Sequence, residues 1–258
     1  METLQQRWSM AGLNEGDTVL IHSNIKRTLV EYRRNEVQIS PEDILKSFLD
    51  VIGSKGTLVL PLFNFDFTKG VPFDIRTSES QMGALTEMGR KYPGAVRTGH
   101  PIYSFAVIGG KSSEFAGIDN VSGYSEESPF GVLKRLDGKI GSLDLEDQNS
   151  MTFYHHVEEV KRVDYRYFKS FTGDYTDVSG ETEKKEYKLY VRDIERGVMT
   201  DVNPAGELMW KAGLYKGFRP KEGPGLRLVS ARDMFGFVED IIDSGKALGT
   251  LYSIGDGK

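Results

Sequence analysis

The residue types that could carry acid–base chemistry are concentrated in residues 152–159. On a helix, positions three and four apart share a face, so the side chains of Thr152, His155, Glu158 and Glu159 line one stripe. His156 points about 100° away from that stripe. An imidazole with a pKa of about 6.5 beside a carboxylate suits proton transfer near neutral pH. The same spacing also fits a solvated helix face with a coincidental ion pair.

A metal ion is the competing chemical interpretation of this segment, because two histidines and two glutamates are close together. A zincin helix needs its histidines at i and i+4, whereas His155 and His156 are contiguous. We therefore expect no metal, and a metal-dependent hydrolase stays as an alternative. The chain has neither a Gly-x-Ser-x-Gly elbow nor a Gly-x-Gly-x-x-Gly fingerprint after a strand, so a serine hydrolase and a dinucleotide site are not favoured.

The elements that must position these residues follow from hydrophobic periodicity. Compact apolar runs predict strands, and amphipathic runs with Ser-Pro starts or serine caps predict helices. The predicted strands are 17–22, 56–61, 104–109, 139–144 and 225–230, and the predicted helices are 4–10, 40–53, 81–91, one opening at Ser128, 150–161, 205–212 and 230–244. This alternation predicts an α/β fold, a layered mixed sheet flanked by helices. Residues 165–195 alternate aromatic and polar side chains around Ser179-Gly180, which predicts an antiparallel β elaboration in the C-terminal half of a single domain, 1–258.

Two other histidines lie at the ends of predicted elements. His22 ends the first long strand, and His100 precedes Pro101 just before a strand. Ligands of α/β sheets bind at strand ends, so both are candidates for a cleft. For either one, a structural role in the core is an equal alternative.

Composition narrows the function classes. The chain has 258 residues, a net charge of −5 and no cysteine, which excludes a thiolate nucleophile and cysteine-ligated metal sites. Its 33 basic residues are scattered among 38 acidic ones, so nucleic-acid binding is not expected. The start has no signal-peptide pattern and no apolar run is long enough for a membrane span, so we expect a cytoplasmic protein that binds no membrane.

The ordered motifs resemble those of the aminoglycoside 3-N-acetyltransferase family. They cover roughly residues 10–160, in the family's order and with matching gaps. The segments that carry the resemblance are Asp17-Thr-Val-Leu-Ile-His-Ser23, Arg76-Thr77 with Met82-Gly83-Ala-Leu-x-Glu87 and onward through His100-Pro101 to Ser104-Phe105-Ala, then Ser128-Pro-Phe-Gly-x-Leu with Leu136-Asp-Gly-Lys, and Thr152-x-x-His155-x-x-Glu158.

The resemblance implies direct transfer of an acetyl or related acyl group from acyl-CoA to an amine of an aminoglycoside or other amino sugar. His155 would be the general base, and the hydroxyl of Thr152 would lie near the developing oxyanion. By the same mapping, six further residues would lie along the CoA arm or the acceptor pocket: His22, Ser23, Asn24, His100, Ser104 and Phe105. An amine nucleophile needs no thiol, which agrees with the absence of cysteine, and a homodimer is expected by analogy alone.

The chain departs from the family pattern at two points. A carboxylate on a later strand should orient the histidine, and Glu186 is the best candidate, ahead of Asp193, although a plain alignment places Leu189 there. Residues 165–258 match only in pattern, so the acceptor stays open. Acidic side chains near the expected site would attract a cationic aminoglycoside, although an ordinary solvated acidic loop is an equal alternative; they are Glu126, Glu127, Asp144, Glu146 and Asp147. A sugar nucleotide would instead need cations such as Arg76, Arg97 or Lys161. A CoA-binding protein without turnover is a further alternative.

Overall fold

The computed structural model describes residues 2–220, 222 and 225–255. Its α-helices are α1 (Leu4–Met10), α2 (Lys26–Arg34), α3 (Pro41–Ile52), α4 (Ala84–Arg90), α5 (Pro129–Arg135), α6 (Phe153–Lys161), α7 (Asn203–Lys211) and α8 (Ala231–Asp243). Its strands are β1 (Thr18–Ser23), β2 (Thr57–Pro61), β3 (Phe73–Asp74), β4 (Val96–Arg97), β5 (Phe105–Gly109), β6 (Lys139–Leu143), β7 (Arg166–Thr176), β8 (Thr182–Arg192), β9 (Val198–Thr200), β10 (Lys216–Gly217), β11 (Leu226–Ser230) and β12 (Tyr252–Ile254). Short 3₁₀ turns lie at Asp66–Lys69, Ser112–Glu114 and Asp147–Asn149.

A mixed sheet of seven strands forms the centre, in the order β10-β11-β6-β1-β2-β5-β4. Strand β1 pairs in parallel with β2 and β6, while β5 and β11 run antiparallel to their neighbours. The predicted layered mixed sheet with flanking helices is therefore confirmed. The carboxyl end of β1, at His22 and Ser23, lies inside this sheet between β2 and β6.

Alternate residues of the central strands face two different hydrophobic layers, as the pleat requires. Val19 and Ile21 pack into the layer that contains residues of α1, α3 and α4, whereas Leu20 packs into the layer with α5, α6 and α8. Burial on both faces explains why these strands read as continuous apolar runs. It also fixes α6, the helix of the histidine segment, against one face of the sheet.

Helix boundaries follow local capping chemistry. The Ser40 hydroxyl accepts the Asp43 N–H and the Asp43 carboxylate accepts the Ser40 N–H, and Pro41 fills the first helical turn, as predicted. Helix α6 begins at Phe153 rather than 150, because the Ser150 hydroxyl bonds the Glu146 carbonyl instead of capping a helix. Helix α4 begins after Gly83, whose φ of 105° lies in the left-handed region.

The predicted antiparallel elaboration is the long hairpin β7–β8, which turns at residues 177–181. In its register Arg166 pairs with Arg192, Lys169 with Leu189 and Tyr167 with Val191. The short β3 joins β7 in parallel, and β9 pairs with β12. Within the described part of the chain, no helix has the length and apolarity needed to cross a membrane.

Candidate active site

Helix α6 brings His155 and Glu158 into direct contact, as their spacing predicts. His155 Nδ1 lies 2.7 Å from Glu158 Oε2, and the Glu158 side chain is fully buried. The chain leaves α6 through Arg162, which has a left-handed conformation, and enters β7 at Arg166. Arg166 Nε lies 2.7 Å from the same Oε2 atom. The site is therefore a row of imidazole, carboxylate and guanidinium, of which the last two are buried and the imidazole is partly exposed. We call it the His155–Glu158–Arg166 triad.

Burial and the Arg166 charge keep the imidazole of His155 neutral, against the opposing effect of Glu158. Burial alone would raise the pKa of Glu158, but the Arg166 charge and the bond to His155 hold it below its ordinary value. Burial lowers the pKa of His155, and the charges of Arg166 and Arg192 add to that effect, which Glu158 opposes. A neutral imidazole whose Nδ1 is held by an ionised carboxylate has its Nε2 lone pair available as a proton acceptor.

A cavity of about 590 Å³ opens in front of His155. It lies between the hairpin β7–β8 and the segment that follows β2, and the ring of Tyr124 packs 5.4 Å from the His155 ring at its inner end. Aromatic and cationic side chains predominate in its lining: Phe65, Tyr103, Tyr124, Tyr167, Phe171, Tyr190, Arg166, Lys169 and Arg192. We call it the base cavity.

A second cavity of about 730 Å³ lies at the carboxyl end of β1, where His22, Ser23 and Asn24 line it together with α2. We call it the β1 cavity. His22 is buried, and its Nε2 atom has no hydrogen-bond partner among the described residues. Burial, with a contribution from the Arg227 charge, lowers the pKa of His22 to about 3, so its imidazole is neutral. A neutral nitrogen without a partner at a cavity wall indicates a position for a bound polar group.

Packed aromatic rings connect the two cavities. The successive ring distances are 6.1 Å from His22 to Phe63, 4.4 Å from Phe63 to Tyr103, 4.8 Å from Tyr103 to Tyr124 and 5.4 Å from Tyr124 to His155. The Gln81 side chain fixes the segment after β2, because it accepts the Phe65 N–H and donates to Asp66. A continuous series of ring contacts thus runs from the wall of the β1 cavity to the wall of the base cavity.

His156 belongs to the core and not to either cavity. Its Nδ1 lies 2.7 Å from the Tyr124 carbonyl oxygen, and its ring packs between Phe153 and Phe235. Burial lowers its pKa to about 4. The two adjacent imidazoles therefore bond in different directions, and among the described residues no group of three His, Cys, Asp or Glu side chains is placed to hold a metal ion.

The structure places His100, Ser104 and Phe105, which are predicted to lie along the CoA arm or the acceptor pocket, in the protein interior. His100 is fully buried and its Nδ1 accepts the N–H groups of Ile102 and Tyr103, while burial lowers its pKa to about 4. The Ser104 hydroxyl donates to the Leu62 carbonyl, and Phe105 is part of the hydrophobic layer under α5. None of these three side chains lines the base cavity or the β1 cavity; Phe105 belongs to β5, and His100 and Ser104 lie in the buried segment before that strand.

The carboxylate that contacts His155 in the structure is Glu158, whereas Glu186, the predicted orienting carboxylate, pairs with a lysine on its own strand. Glu186 is half exposed on β8 and lies 3.5 Å from Lys188, and Asp193 accepts the Arg196 N–H. Leu189, the third candidate, lines the base cavity. Glu158, one turn along the same helix, is the carboxylate that holds His155. Thr152 is the N-cap residue of α6, with no side-chain cap bond, and lines neither cavity.

Of the acidic residues predicted near the site, Glu126 and Glu127 are exposed, whereas the carboxylates of Asp144 and Asp147 are bound within the protein. Asp147 is buried and its carboxylate accepts the hydroxyls of Tyr154 and Tyr215 and a hydrogen bond from Arg227. Asp144 accepts the Thr28 hydroxyl. Sequence reasoning missed Arg166, Lys169 and Arg192, although a hairpin centred on the predicted Ser179 turn pairs Arg166 with Arg192.

Comparison with known proteins places this chain in a family. The sequence model of aminoglycoside 3-N-acetyltransferase matches residues 20–243. Aminoglycoside N(3)-acetyltransferase VII of Streptomyces paromomycinus is 29% identical over 169 residues, 57% of this chain and 56% of that protein. Aminoglycoside N(3)-acetyltransferase IX of Micromonospora chalcea is 28% identical over 182 residues, 62% of each chain. The present chain thus matches less than two thirds of the length of either relative.

A comparison of folds gives a consistent result. A solved structure of AAC-IIIb in binary complex with CoASH superposes with a TM-score of 0.79 at 20% identity, covering 94% of this chain and 95% of the other. At that identity the likeness concerns the fold. The sequence match, which covers most of the chain, concerns the family: this chain belongs to the aminoglycoside 3-N-acetyltransferase family.

Proposed function

We propose that the protein is a CoA-dependent N-acyltransferase that moves an acetyl group from acetyl-CoA directly to an amine of an aminoglycoside or other amino sugar. Family membership supports the reaction class. The observation that carries the proposal is the triad: a neutral His155, held through Nδ1 by a buried ionised Glu158, at the wall of a cavity large enough for a sugar.

In this proposal His155 is the general base. Its Nε2 takes a proton from the substrate ammonium, which frees the nitrogen lone pair to form the new N–C bond. Bound acetyl-CoA would supply an acetyl group on a thioester, whose carbonyl carbon accepts that lone pair and whose sulfur leaves. Glu158 stabilises the imidazolium that forms, and Arg166 keeps Glu158 ionised, so this proton stays on His155 and does not pass to Glu158. The attacking nitrogen loses a second proton as the amide forms, and the departing thiolate would take up that proton to give free CoA.

The β1 cavity is our proposed site for CoA. A CoA molecule needs an apolar groove for its pantetheine arm and cations for its phosphates. Leu29, Val30 and Met82 give the cavity an apolar wall, and Lys26 and Arg33 of α2 lie at its margin. The unpartnered Nε2 of His22 and the neighbouring Ser23 and Asn24 offer polar contacts at its inner end.

A thiol-release assay tests the proposal. Acetyl-CoA with a panel of amino sugars and aminoglycosides should give stoichiometric free CoA and N-acetylated product. Loss of the general base in a His155→Gln variant should lower kcat about 100-fold or more at pH 7.5, with circular dichroism unchanged. Tight CoA binding without turnover on any amine would support the binding-protein alternative, and activity lost to chelation would support the hydrolase.

A further inference from the structure

We propose that the acceptor is an amino sugar that carries a negatively charged group, a phosphate or a carboxylate, recognised in the base cavity by Arg192, with Lys169 adding to the positive charge of the cavity wall. This inference rests on the proposed function, since it names the substrate class of the same site. It departs from the polycationic aminoglycosides that name the family.

The charge of the base cavity is positive. Arg166, Lys169 and Arg192 line it, and of its described lining residues none is an aspartate or glutamate. Glu158 lies behind the wall, fully buried, and its charge is balanced by Arg166. Arg166 is also held by the Tyr190 carbonyl and the Thr200 hydroxyl, so it is fixed in the wall and not free to reach a ligand.

Lys169 and Arg192 are the cations available to a ligand. Both are exposed, and neither forms an ion pair with a carboxylate in the described part of the chain. Lys169 packs its ammonium 5.6 Å from the centre of the Phe171 ring, on the cavity wall. Arg192 is close enough to lower the pKa of His155 by its charge. In the hairpin register Arg192 pairs with Arg166 and Lys169 pairs with Leu189, so the two cations lie on opposite faces of the hairpin and line different parts of the cavity. An anionic group bound by Arg192 would be held near the base.

The rest of the wall suits a sugar ring. Tyr167, Lys169 and Phe171 alternate along β7 and therefore share one face, opposite Tyr103 and Tyr124 at the inner end. Aromatic faces pack on the apolar face of a ring, and tyrosine hydroxyls bond its polar edge. A polyamine with several ammonium groups would meet two uncompensated cations in this cavity, whereas a phosphate or carboxylate would be attracted.

The cations suggested by sequence for a phosphorylated acceptor lie elsewhere. Arg76 pairs with Asp74, Arg97 donates to backbone carbonyls of residues 75 and 78, and Lys161 pairs with Glu239 and Asp243. None of them lines the base cavity. The positive character of the site comes instead from the hairpin β7–β8.

A matched acceptor series tests the inference. Thiol release from acetyl-CoA would be measured at low ionic strength with glucosamine, glucosamine 6-phosphate, UDP-glucosamine, muramic acid and the polycation paromomycin. We expect kcat/KM for at least one anionic amine to exceed that for glucosamine by about tenfold or more, and the difference to shrink in 0.5 M salt as charges are screened. The phosphate and carboxylate arms show which anion is preferred.

Charge-reversal variants test whether Lys169 and Arg192 cause the preference for anionic amines. The double variant Lys169→Glu/Arg192→Glu should lose the preference for anionic amines and gain activity on paromomycin. Lys184 is an exposed cation on the same hairpin and lines neither the base cavity nor the β1 cavity. The control variant Lys184→Glu should therefore keep the preference for anionic amines. Paromomycin used as well as the anionic amines by the parent enzyme would overturn the inference and leave the proposed function standing.

Absence of thiol release with every amine would instead overturn the proposed function. In that case, calorimetric titration of the same five compounds into the protein decides the inference on its own. Binding of anionic amines that is weakened by the double variant would uphold it, and equal or no binding of all five would end it.

Discussion

The Arg166 guanidinium and the Glu158 carboxylate form a buried ion pair in which Arg166 Nε lies 2.7 Å from the oxygen that also bonds His155. The pair joins the end of one helix to the start of a strand and is 4% and 0% exposed. One guanidinium therefore sets both the ionisation of the carboxylate and the charge surrounding the base. Arg166 is a positioning residue for His155.

Replacing Arg166 should change the pH dependence of the reaction. The base must be neutral, so kcat rises with pH through the pKa of His155, which is below its ordinary value in the parent. In Arg166→Gln the repulsion from the guanidinium is gone and the pKa of His155 rises, so the acidic limb of the kcat profile moves to higher pH. Arg166→Lys, which keeps the charge, should restore the parent limb in part. A uniform loss of kcat at all pH values would indicate a structural effect only.

The adjacent histidines should behave differently. His155→Ala removes the base and should lower kcat about 100-fold or more at neutral pH. His156→Asn keeps a donor for the Tyr124 carbonyl and changes only the core, so the kcat of its folded fraction should stay near the parent value while its melting temperature falls. Steady-state kinetics beside thermal unfolding separates the two. Equal losses of kcat at both positions would revive a metal site shared by the two imidazoles.

The central sheet could be predicted from sequence because its strands are buried on both faces and carry long apolar runs. Strands of two or three residues, such as β3 and β10, have no periodicity of their own and exist only through their partners. Helix α2 was not predicted because its sequence also has a weak pattern. It carries several cations, its N-cap Ile25 has no side-chain cap, and only Thr28 and Tyr32 are buried.

The local part of the site could also be predicted, since helical spacing brings His155 to Glu158. The rest of the site depends on how the chain turns after α6 and on how the strands β7 and β8 pair. Glu186 has a suitable type and distance in sequence, but the hairpin register turns it to solvent. Arg166 reaches Glu158 only because Arg162 adopts a left-handed conformation and reverses the chain at the end of α6.

Buried neutral histidines should make the fold sensitive to acid. The pKa of His156 is about 4 in the folded protein and about 6.5 unfolded, so the unfolded state binds the proton first as pH falls. The contribution of neutral His156 to the free energy of unfolding is therefore fully present above pH 6.5 and is lost as the pH falls from 6.5 to 4. Between pH 7 and pH 5 this loss amounts to about 2 kcal/mol. Urea unfolding at both pH values measures it. His156→Asn should show a drop in unfolding free energy smaller than that of the parent by about this amount, and an equal drop in both would contradict the assignment.

Asp147 should be a stability residue and not a substrate contact. Its buried carboxylate accepts hydrogen bonds from Tyr154, Tyr215 and Arg227, and so ties the loop before α6 to that helix, to the segment before β10 and to β11. Asp147→Ala leaves the Arg227 charge buried without its partner, which should cost about 3–5 kcal/mol in the free energy of unfolding. Glu126→Ala, at an exposed carboxylate beside Lys134, is the matched control and should cost about 0.5 kcal/mol or less. Chemical denaturation of both variants gives the comparison. Because the Asp147 carboxylate lies outside the base cavity, KM for the amine should be unchanged in the folded fraction, and a selective rise in KM would show that Asp147 meets the substrate after all.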